Sequence, residues 1–201
     1  MNVFVESNFV LELAFRQTEH GFCERIRQGT GPAAYSLHLP QYALAEVFEK
    51  LRPLRNKRKE YRQCLLDEIT QHRREDESDA GAVDDLTRAL TTLLLERTQT
   101  QTRRLYTIAA ELSQTAAGPV LTPDIILAAH RQAQTHGLSP QDALVYASVL
   151  AGLRALPLEA PKLFVSRNKV DFGKPKILAE LRELGCEYMA SFRAAAGRLG
   201  V

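Results

Sequence analysis

Short apolar runs alternate along the chain with longer segments that have helical periodicity. Val3 to Val5 and Lys162 to Val165 are runs typical of strands buried on both faces. Tyr35 to Leu39 is a further predicted strand, and Glu187 to Met189 is a predicted edge strand. Because strands that alternate with helices indicate βαβ units, the pattern predicts an α/β fold with a parallel sheet.

Hydroxyl residues and prolines mark the starts of several predicted helices. Ser7 is predicted to cap the first helix, which follows the first strand directly. Thr122-Pro123-Asp124 and Ser139-Pro140-Gln141-Asp142 each combine a cap, a proline at the first helical position and an acid in the first turn. The helix from Pro140 to about Leu153 is apolar nearly all round, which predicts that it is buried.

A helix that opens at Pro40 carries an apolar stripe on one side, formed by Leu44, Val47, Phe48 and Leu51. Glu46 falls on the opposite face, so periodicity alone predicts a solvated glutamate.

The composition changes between Arg52 and about Asp79, where cations crowd the first part and acids the end. A second long helical stretch is predicted from Asp84 to about Ala117, and the polar run Thr98 to Thr102 is expected to interrupt it. Together these stretches predict a helical insertion over about residues 52–118. Its basic run is typical of a solvated helix face, and it is also typical of a surface that steers RNA phosphates. The cations are Arg52, Arg55, Lys57, Arg58, Lys59 and Arg62.

Length, charge and cysteine content narrow the class of protein. With 201 residues, 45% of them hydrophobic, the chain can form one domain, or one domain with a sizeable insertion. A formal net charge of +2 excludes a molecule that binds nucleic acid through its overall charge. Cys23, Cys64 and Cys186 are scattered, which argues against a disulfide framework and suits a reducing cytoplasm.

No signal peptide or membrane span is expected, because the N-terminus lacks a basic start and no long uncharged apolar segment follows. We therefore expect a cytoplasmic protein with no membrane partner. His130 and His136 are six residues apart and would not share a helix face, so zinc is not the expected metal.

Four acids from distant parts of the chain are the candidate metal ligands: Glu6, Glu46, Asp142 and Asp171. Glu6 carries the most weight, because a carboxylate at the end of a buried strand is costly unless it is paired or liganded. The other three also have ordinary explanations. Asp142 lies in the first turn of a predicted helix, where an acid interacts favourably with the helix dipole. Glu46 lies on a polar helix face, where a glutamate is solvated, and Asp171 lies in a predicted turn, which Asp favours.

These residues resemble the PIN-domain (VapC-like) family of metal-dependent ribonucleases. The resemblance covers roughly residues 1–51 and 120–190 and departs from the family in two respects. The first acid is Glu6 where the family usually has aspartate, and residues 52–118 are much longer than in a minimal member. Four motifs carry the resemblance: Val-Phe-Val-Glu6-Ser7-Asn8, Leu39-Pro40 through Ala45-Glu46-Val47, Ser139-Pro140-Gln141-Asp142-Ala143, and Phe164-Val165-Ser166-Arg167-Asn168 with Asp171-Phe172.

The resemblance implies a single PIN-like domain over residues 1–201, built as a three-layer α/β/α sandwich with a parallel sheet and the helical insertion. It implies an endoribonuclease in which water attacks the phosphodiester without a covalent enzyme intermediate. The four acids would hold Mg²⁺ or Mn²⁺, since carboxylate oxygens are preferred ligands of hard cations. Supporting residues would be Ser7, Asn8, Ser166 and Asn168.

The partners implied by the resemblance are RNA, an antitoxin protein if the chain is the toxin of a toxin–antitoxin pair, and a second copy in a homodimer. Two other functions remain open. One is a PIN-like scaffold that binds RNA or protein without cutting, which the longer Glu6 favours. The other is a helical interaction module formed by the insertion.

Overall fold

The protein has a mixed α/β fold with a small, entirely parallel sheet. The computed structural model describes residues 1–31, 34–75 and 80–201. Four strands are ordered β2-β1-β3-β4, and every neighbouring pair is parallel. They are β1 (Asn2–Val5), β2 (Ser36–His38), β3 (Lys162–Val165) and β4 (Cys186–Met189). The predicted α/β class with a parallel sheet is thereby confirmed.

Helices connect and flank the strands. No helix among residues 1–31, 34–75 and 80–201 is both long and apolar enough to cross a membrane. The helices assigned within those residues are α1 (Ser7–Phe15), α2 (His20–Gln28), α3 (Gln41–Glu75), α4 (Ala80–Thr115), α5 (Pro123–His136), α6 (Pro140–Arg154), α7 (Lys169–Phe172), α8 (Pro175–Glu183) and α9 (Phe192–Leu199).

The chain divides into two compact units. The first consists of Met1–Val47 with Leu105–Val201, and the second of Phe48–Arg104. The prediction of one PIN-like domain with an insertion at about 52–118 stays a prediction.

The core of the first unit forms on the sheet. Val3, Phe4 and Val5 of β1 are completely buried, as continuous apolar strands between covering layers require. Strand register aligns Phe4 with His38 on one side and with Phe164 on the other. A β-carbon on Gly152 of α6 would lie 2.7 Å from the Phe4 ring, so this glycine permits the close approach of helix to strand.

Helices of this unit form two packed groups. One contains α5 and α6, and the other contains α1, α2 and α9. In the second group the rings of Phe9 and Phe192 meet edge to face, with centroids 5.4 Å apart. In the first group α6 is buried along its length, with Val145, Tyr146 and Leu150 among its buried residues, as its apolar sequence predicted.

The second unit consists of the parts of α3 and α4 that run antiparallel to each other. Arg58 of α3 joins them, donating hydrogen bonds to Thr98 at 2.9 Å and to the buried Gln101 at 2.6 Å. The expected interruption over Thr98 to Thr102 is wrong, because α4 is continuous there. The Thr98 and Thr102 hydroxyls donate to carbonyls four residues earlier, which satisfies them inside a helix.

The helix that opens after Pro40 also runs further than expected. It continues as α3 through the change of composition at Arg52 and through Pro53, as far as Glu75. The part of the predicted helix over residues 76–79 lies outside the described residues.

Candidate functional site

The candidate site lies where the strand order changes direction. From β1 the chain moves to β2 on one side, and from β3 it moves to β4 on the other. Val5 and Val165 are register partners, so Glu6 and Ser166 follow them side by side at the carboxyl edge of the sheet. In open α/β sheets this switch point is the usual place for a ligand crevice.

Glu6 is buried at this edge, with 3% of its surface exposed. Its Oε2 accepts hydrogen bonds from the Asn8 backbone N–H at 2.8 Å and from the Ser7 hydroxyl at 3.0 Å. Its Oε1 accepts from the Ser166 hydroxyl at 2.9 Å. The predicted cap is therefore corrected: Glu6, not Ser7, caps α1, and Ser7 is the first residue of that helix.

The electrostatics of Glu6 are unfavourable for a carboxylate. Burial raises its pKa above the ordinary value, the three hydrogen bonds oppose that rise, and the negative charge of Glu46 adds to it. No ion pair to Glu6 exists among the residues that the structure describes. Glu6 is thus a buried acid whose hydrogen-bond partners, within the described residues, are all neutral donors.

Glu46 lies in the first turns of α3. Periodicity predicted a solvated side chain, but the residue is half-buried, and its charge acts on Glu6. Only Ala43, Val47 and Leu51 are fully buried on this part of the helix. Ala43 takes the place of Leu44 in the buried stripe, and it lies on the same side of the helix as Glu46, three residues later, which accounts for the half-burial of Glu46.

Asp142 is joined to Glu6 by a chain of hydrogen bonds. Ser166 Oγ donates to Glu6 and accepts from the Asn168 backbone N–H at 3.0 Å. The Asn168 side-chain amide then donates to Asp142 Oδ1 at 3.1 Å. Asp142 Oδ2 accepts from Ser139, the cap of α6, at 2.5 Å. Two predicted acids and two predicted supporting residues therefore form one network.

Asp171 joins the same network through its backbone. Its N–H donates to Asn168 Oδ1 at 3.3 Å, so Asn168 caps the short helix α7 and holds Asp142 at the same time. The Asp171 carboxylate instead forms an ion pair with Lys174 at 3.4 Å. Lys174 also donates to the carbonyl of His136 at 2.9 Å. Sequence reasoning did not identify this lysine.

A second buried acid, Glu12, stabilises the loop that carries Ser166 and Asn168. Glu12 is completely buried in α1, accepts a hydrogen bond from the Glu19 backbone N–H at 2.7 Å and forms an ion pair with Arg167. Arg167 lies between Ser166 and Asn168 in sequence, so the pair fixes that loop to α1. An acid inside an otherwise apolar helix was the only sequence signal for it.

Tyr188 of β4 covers the network from the neighbouring strand. Its hydroxyl donates to the Ser166 carbonyl at 3.0 Å. Burial, with a smaller effect from the charge of Glu6, raises the pKa of Tyr188 to about 12. The hydroxyl therefore stays protonated at neutral pH and acts as a donor.

The chemistry of the donor set fits a hard divalent cation. Its acids offer carboxylate oxygens, and Ser and Asn side chains hold two of those carboxylates in place. No group of three or more His, Cys, Asp or Glu side chains that could hold a metal ion is found within the described parts of the chain. The arrangement thus connects Glu6, Asp142 and Asp171 through Ser166 and Asn168, with Glu46 close enough to perturb Glu6. The four-acid metal site itself stays a prediction.

Comparison with known proteins gives no match: no protein-family model, no curated protein and no solved structure is similar to this chain.

Proposed function

We propose that the protein is a metal-dependent endoribonuclease with a PIN-like three-layer α/β/α fold, in which residues of about 52–118 form a helical insertion. Glu6, Glu46, Asp142 and Asp171 would hold Mg²⁺ or Mn²⁺. One observation carries the proposal: Glu6 is buried at the switch point of the sheet, where the described part of the chain gives it no ion-pair partner, and Ser166 and Asn168 connect it to Asp142.

Polar and cationic residues of the chain orient the carboxylates of the site and balance their charge. Ser166 and Asn168 fix the rotamers of Glu6 and Asp142, and Lys174 balances the charge of Asp171 until that carboxylate is needed. A bound divalent cation supplies an activated water and neutralises the charge that develops on the phosphate. A divalent cation held by these acids would offset the repulsion between the negative charges of Glu6 and Glu46.

The pKa of Glu6 gives this proposal a readout that is independent of cleavage. Because burial raises that pKa, part of the metal-free protein carries a proton on Glu6 when the pH is near the raised value. Ligands must be deprotonated to bind a metal, so cation binding should release protons. Calorimetric titration with Mn²⁺ in buffers of different ionisation enthalpy measures that release, and Glu6→Gln should abolish it.

A nuclease assay with a matched variant tests the activity. Asp142 and Asp124 both lie in the first turn of a helix that starts with a hydroxyl cap and a proline, but only Asp142 belongs to the network. With a labelled single-stranded RNA and Mn²⁺, Asp142→Asn should lower the cleavage rate by about 100-fold or more. Even the loss of a residue that only orients a metal ligand typically lowers metal affinity or activity by about 10–100-fold. Asp124→Asn should cut within twofold of the parent, and a chelator should stop the parent completely.

Cleavage by Asp142→Asn at the parental rate would show that Asp142 only stabilises its helix. If the protein is the toxin of a toxin–antitoxin pair, expression of the parent should arrest growth and expression of Asp142→Asn should not. An antitoxin would then be a protein that prevents the arrest.

A non-cutting PIN-like scaffold that binds RNA or protein is the second candidate function. It is favoured by the hydrogen bonds that already occupy both oxygens of Glu6 and by the lack of a three-acid group in the described residues. The Mn²⁺ titration separates the two functions, because a scaffold should bind no cation in a manner that depends on Glu6 or Asp142.

A further inference from the structure

The first half of α3 within the second unit carries cations whose side chains take three different roles. Arg58 is turned toward α4, where it donates to Thr98 and Gln101. Lys57 lies over the ring of Tyr61, with its Nζ 5.6 Å from the ring centroid. The other four, Arg52, Arg55, Lys59 and Arg62, are all exposed.

These four residues form the basic stripe. Their spacing of three, four and three residues places them on one face of a helix, over a length of about 15 Å. No residue of that face between Arg52 and Arg62 is an acid. Among the described residues none of the four takes part in an ion pair, although acids such as Glu60 and Asp67 lie on the same helix.

The stripe is an unfavourable arrangement for an isolated helix. Like charges three or four residues apart repel each other, and the stripe contains three such pairs in succession. Alternating signs would have removed the repulsion, as in the exposed pair Asp85–Arg88 of α4. A polyanion with regularly spaced charges would offset the repulsion, and a nucleic-acid backbone has that charge pattern.

We propose that the basic stripe of Arg52, Arg55, Lys59 and Arg62 binds the backbone phosphates of RNA without reading its sequence. No exposed aromatic ring lies on the stripe itself, since Tyr61 projects from another side of α3 and holds Lys57, so base stacking is not part of the interaction. The choice of RNA over DNA rests on the proposed function, whereas the phosphate contact does not.

The test is a binding measurement in which cleavage is prevented. A labelled 20-nucleotide oligouridylate is titrated with the full chain in the presence of a chelator, and fluorescence anisotropy is recorded between 50 and 300 mM KCl. A single strand loses about 0.7 in the logarithmic salt slope for each phosphate contact removed. The stripe variant R52Q/R55Q/K59Q/R62Q should therefore lower the slope by about 3 and the affinity at 50 mM KCl by at least tenfold.

A scattered variant serves as the charge-matched control. K57Q/R131Q/K176Q/R182Q removes the same number of exposed cations, but these come from α3, α5 and α8 and not from one face of a single helix. Its affinity should fall less than threefold. The variant R52K/R55K/R62K should retain binding within threefold, because a phosphate contact needs a positive charge and not the guanidinium fork. This lysine variant also shows that a loss in the glutamine variant comes from charge.

Three results would overturn the inference. They are equal losses in the stripe and scattered variants, unchanged binding by the stripe variant, and an absence of salt-dependent binding by the parent. The last two would leave the stripe as a solvated face or a surface for an acidic protein. Equal affinity for the DNA strand of the same sequence would support phosphate recognition and show that the 2′-hydroxyl is not used. Because a chelator is present throughout, the binding assay does not depend on cleavage. A negative result in the binding assay would therefore leave the proposed Asp142-dependent cleavage standing, and a negative result in the cleavage assay would leave the proposed phosphate binding standing.

Discussion

Asn168 offers the sharpest test of the hydrogen-bond network, because its side chain joins two acids without being an acid itself. In Asn168→Ala, Asp142 Oδ1 loses a donor at 3.1 Å and the Asp171 N–H loses its acceptor at 3.3 Å. The Asn168 backbone bond to Ser166 remains. The variant therefore removes the connection and leaves every acid in place.

The expected cost follows from these two contacts. A hydrogen bond to a charged group contributes about 1.5–3 kcal/mol, and the part-buried position and length of the Asp142 bond favour the lower value. Loss of a helix cap costs about 0.5–2 kcal/mol, and the shortness of α7 again favours the lower value. We expect the free energy of unfolding to fall by about 2 kcal/mol, as measured by urea denaturation at pH 7.

A partial replacement and a mutant cycle identify the source of that loss. Asn168→Ser retains an oxygen to cap α7 but is too short to reach Asp142, so it should lose about 1.5 kcal/mol. The cycle of Asn168→Ala with Asp142→Ala should give a coupling energy of about 1.5 kcal/mol. A coupling energy below about 0.5 kcal/mol would refute the reasoning that this bond fixes Asp142. Asn168→Ala should also weaken Mn²⁺ binding by about tenfold or more, as loss of a residue that orients a ligand does.

Three further predictions concern Glu6 and a close backbone contact. Glu6→Gln should stabilise the protein at pH 8 and lose that advantage as the pH falls toward the ordinary carboxyl pKa of 4.5. The reason is that the pKa of Glu6 is raised in the folded state, so the parent becomes less stable as the pH rises through that raised pKa. Urea denaturation at a series of pH values measures the difference in stability. An advantage that is constant with pH would contradict the assignment to charge. Glu6→Asp should lower the rate of cleavage with both Mg²⁺ and Mn²⁺, since the shorter side chain withdraws the carboxylate from a site built around glutamate. Unchanged rates with both ions would show that Glu6 is not a metal ligand. Gly118→Ala should cost about 2 kcal/mol in the same denaturation assay, because its β-carbon would lie 1.8 Å from the Leu39 carbonyl oxygen, whereas Gly21→Ala, with nothing within 4 Å, should not destabilise.

The two central strands of the sheet, β1 and β3, were predictable from the sequence because they are buried on both faces. Such strands are continuous apolar runs, and β1 and β3 were found within one residue of their observed bounds. The sequence did not indicate α9, since Phe192–Leu199 is alanine-rich and has few apolar positions from which to read a period. Its helix depends on the packing of Phe192 against Phe9, which is a long-range contact.

The long helices show where local signals mislead. The polar run Thr98 to Thr102 was expected to break α4, but threonine hydroxyls can return their hydrogen bonds to the helix backbone. Likewise the start of the cation-rich segment at Arg52 does not end the helix that opens after Pro40, which continues through it as α3. A change in amino-acid composition along the sequence therefore does not by itself mark the end of a helix.

The candidate site was partly predictable for a related reason. Glu6, Ser166, Asn168 and Asp142 were each selected, because each follows a strand or starts a helix. Lys174 and Arg167, which form ion pairs with Asp171 and Glu12, were not selected, since an ion pair leaves no periodic trace along the sequence. The half-burial of Glu46 was missed because helical periodicity gives direction and not depth.

The pairing of β1 with β3 has a consequence for synthesis. The Glu6–Ser166 hydrogen bond joins residues that are 160 positions apart in the sequence, and the strands that precede them, β1 and β3, pair directly. At a translation rate of about 5–20 residues per second, β1 waits roughly 8–30 s for the strand it must lie beside. During that time a completely apolar strand has only β2 as a partner, so the nascent chain is exposed to aggregation and to chaperones. The acidic network, for its part, cannot exist before nearly the whole chain has left the ribosome.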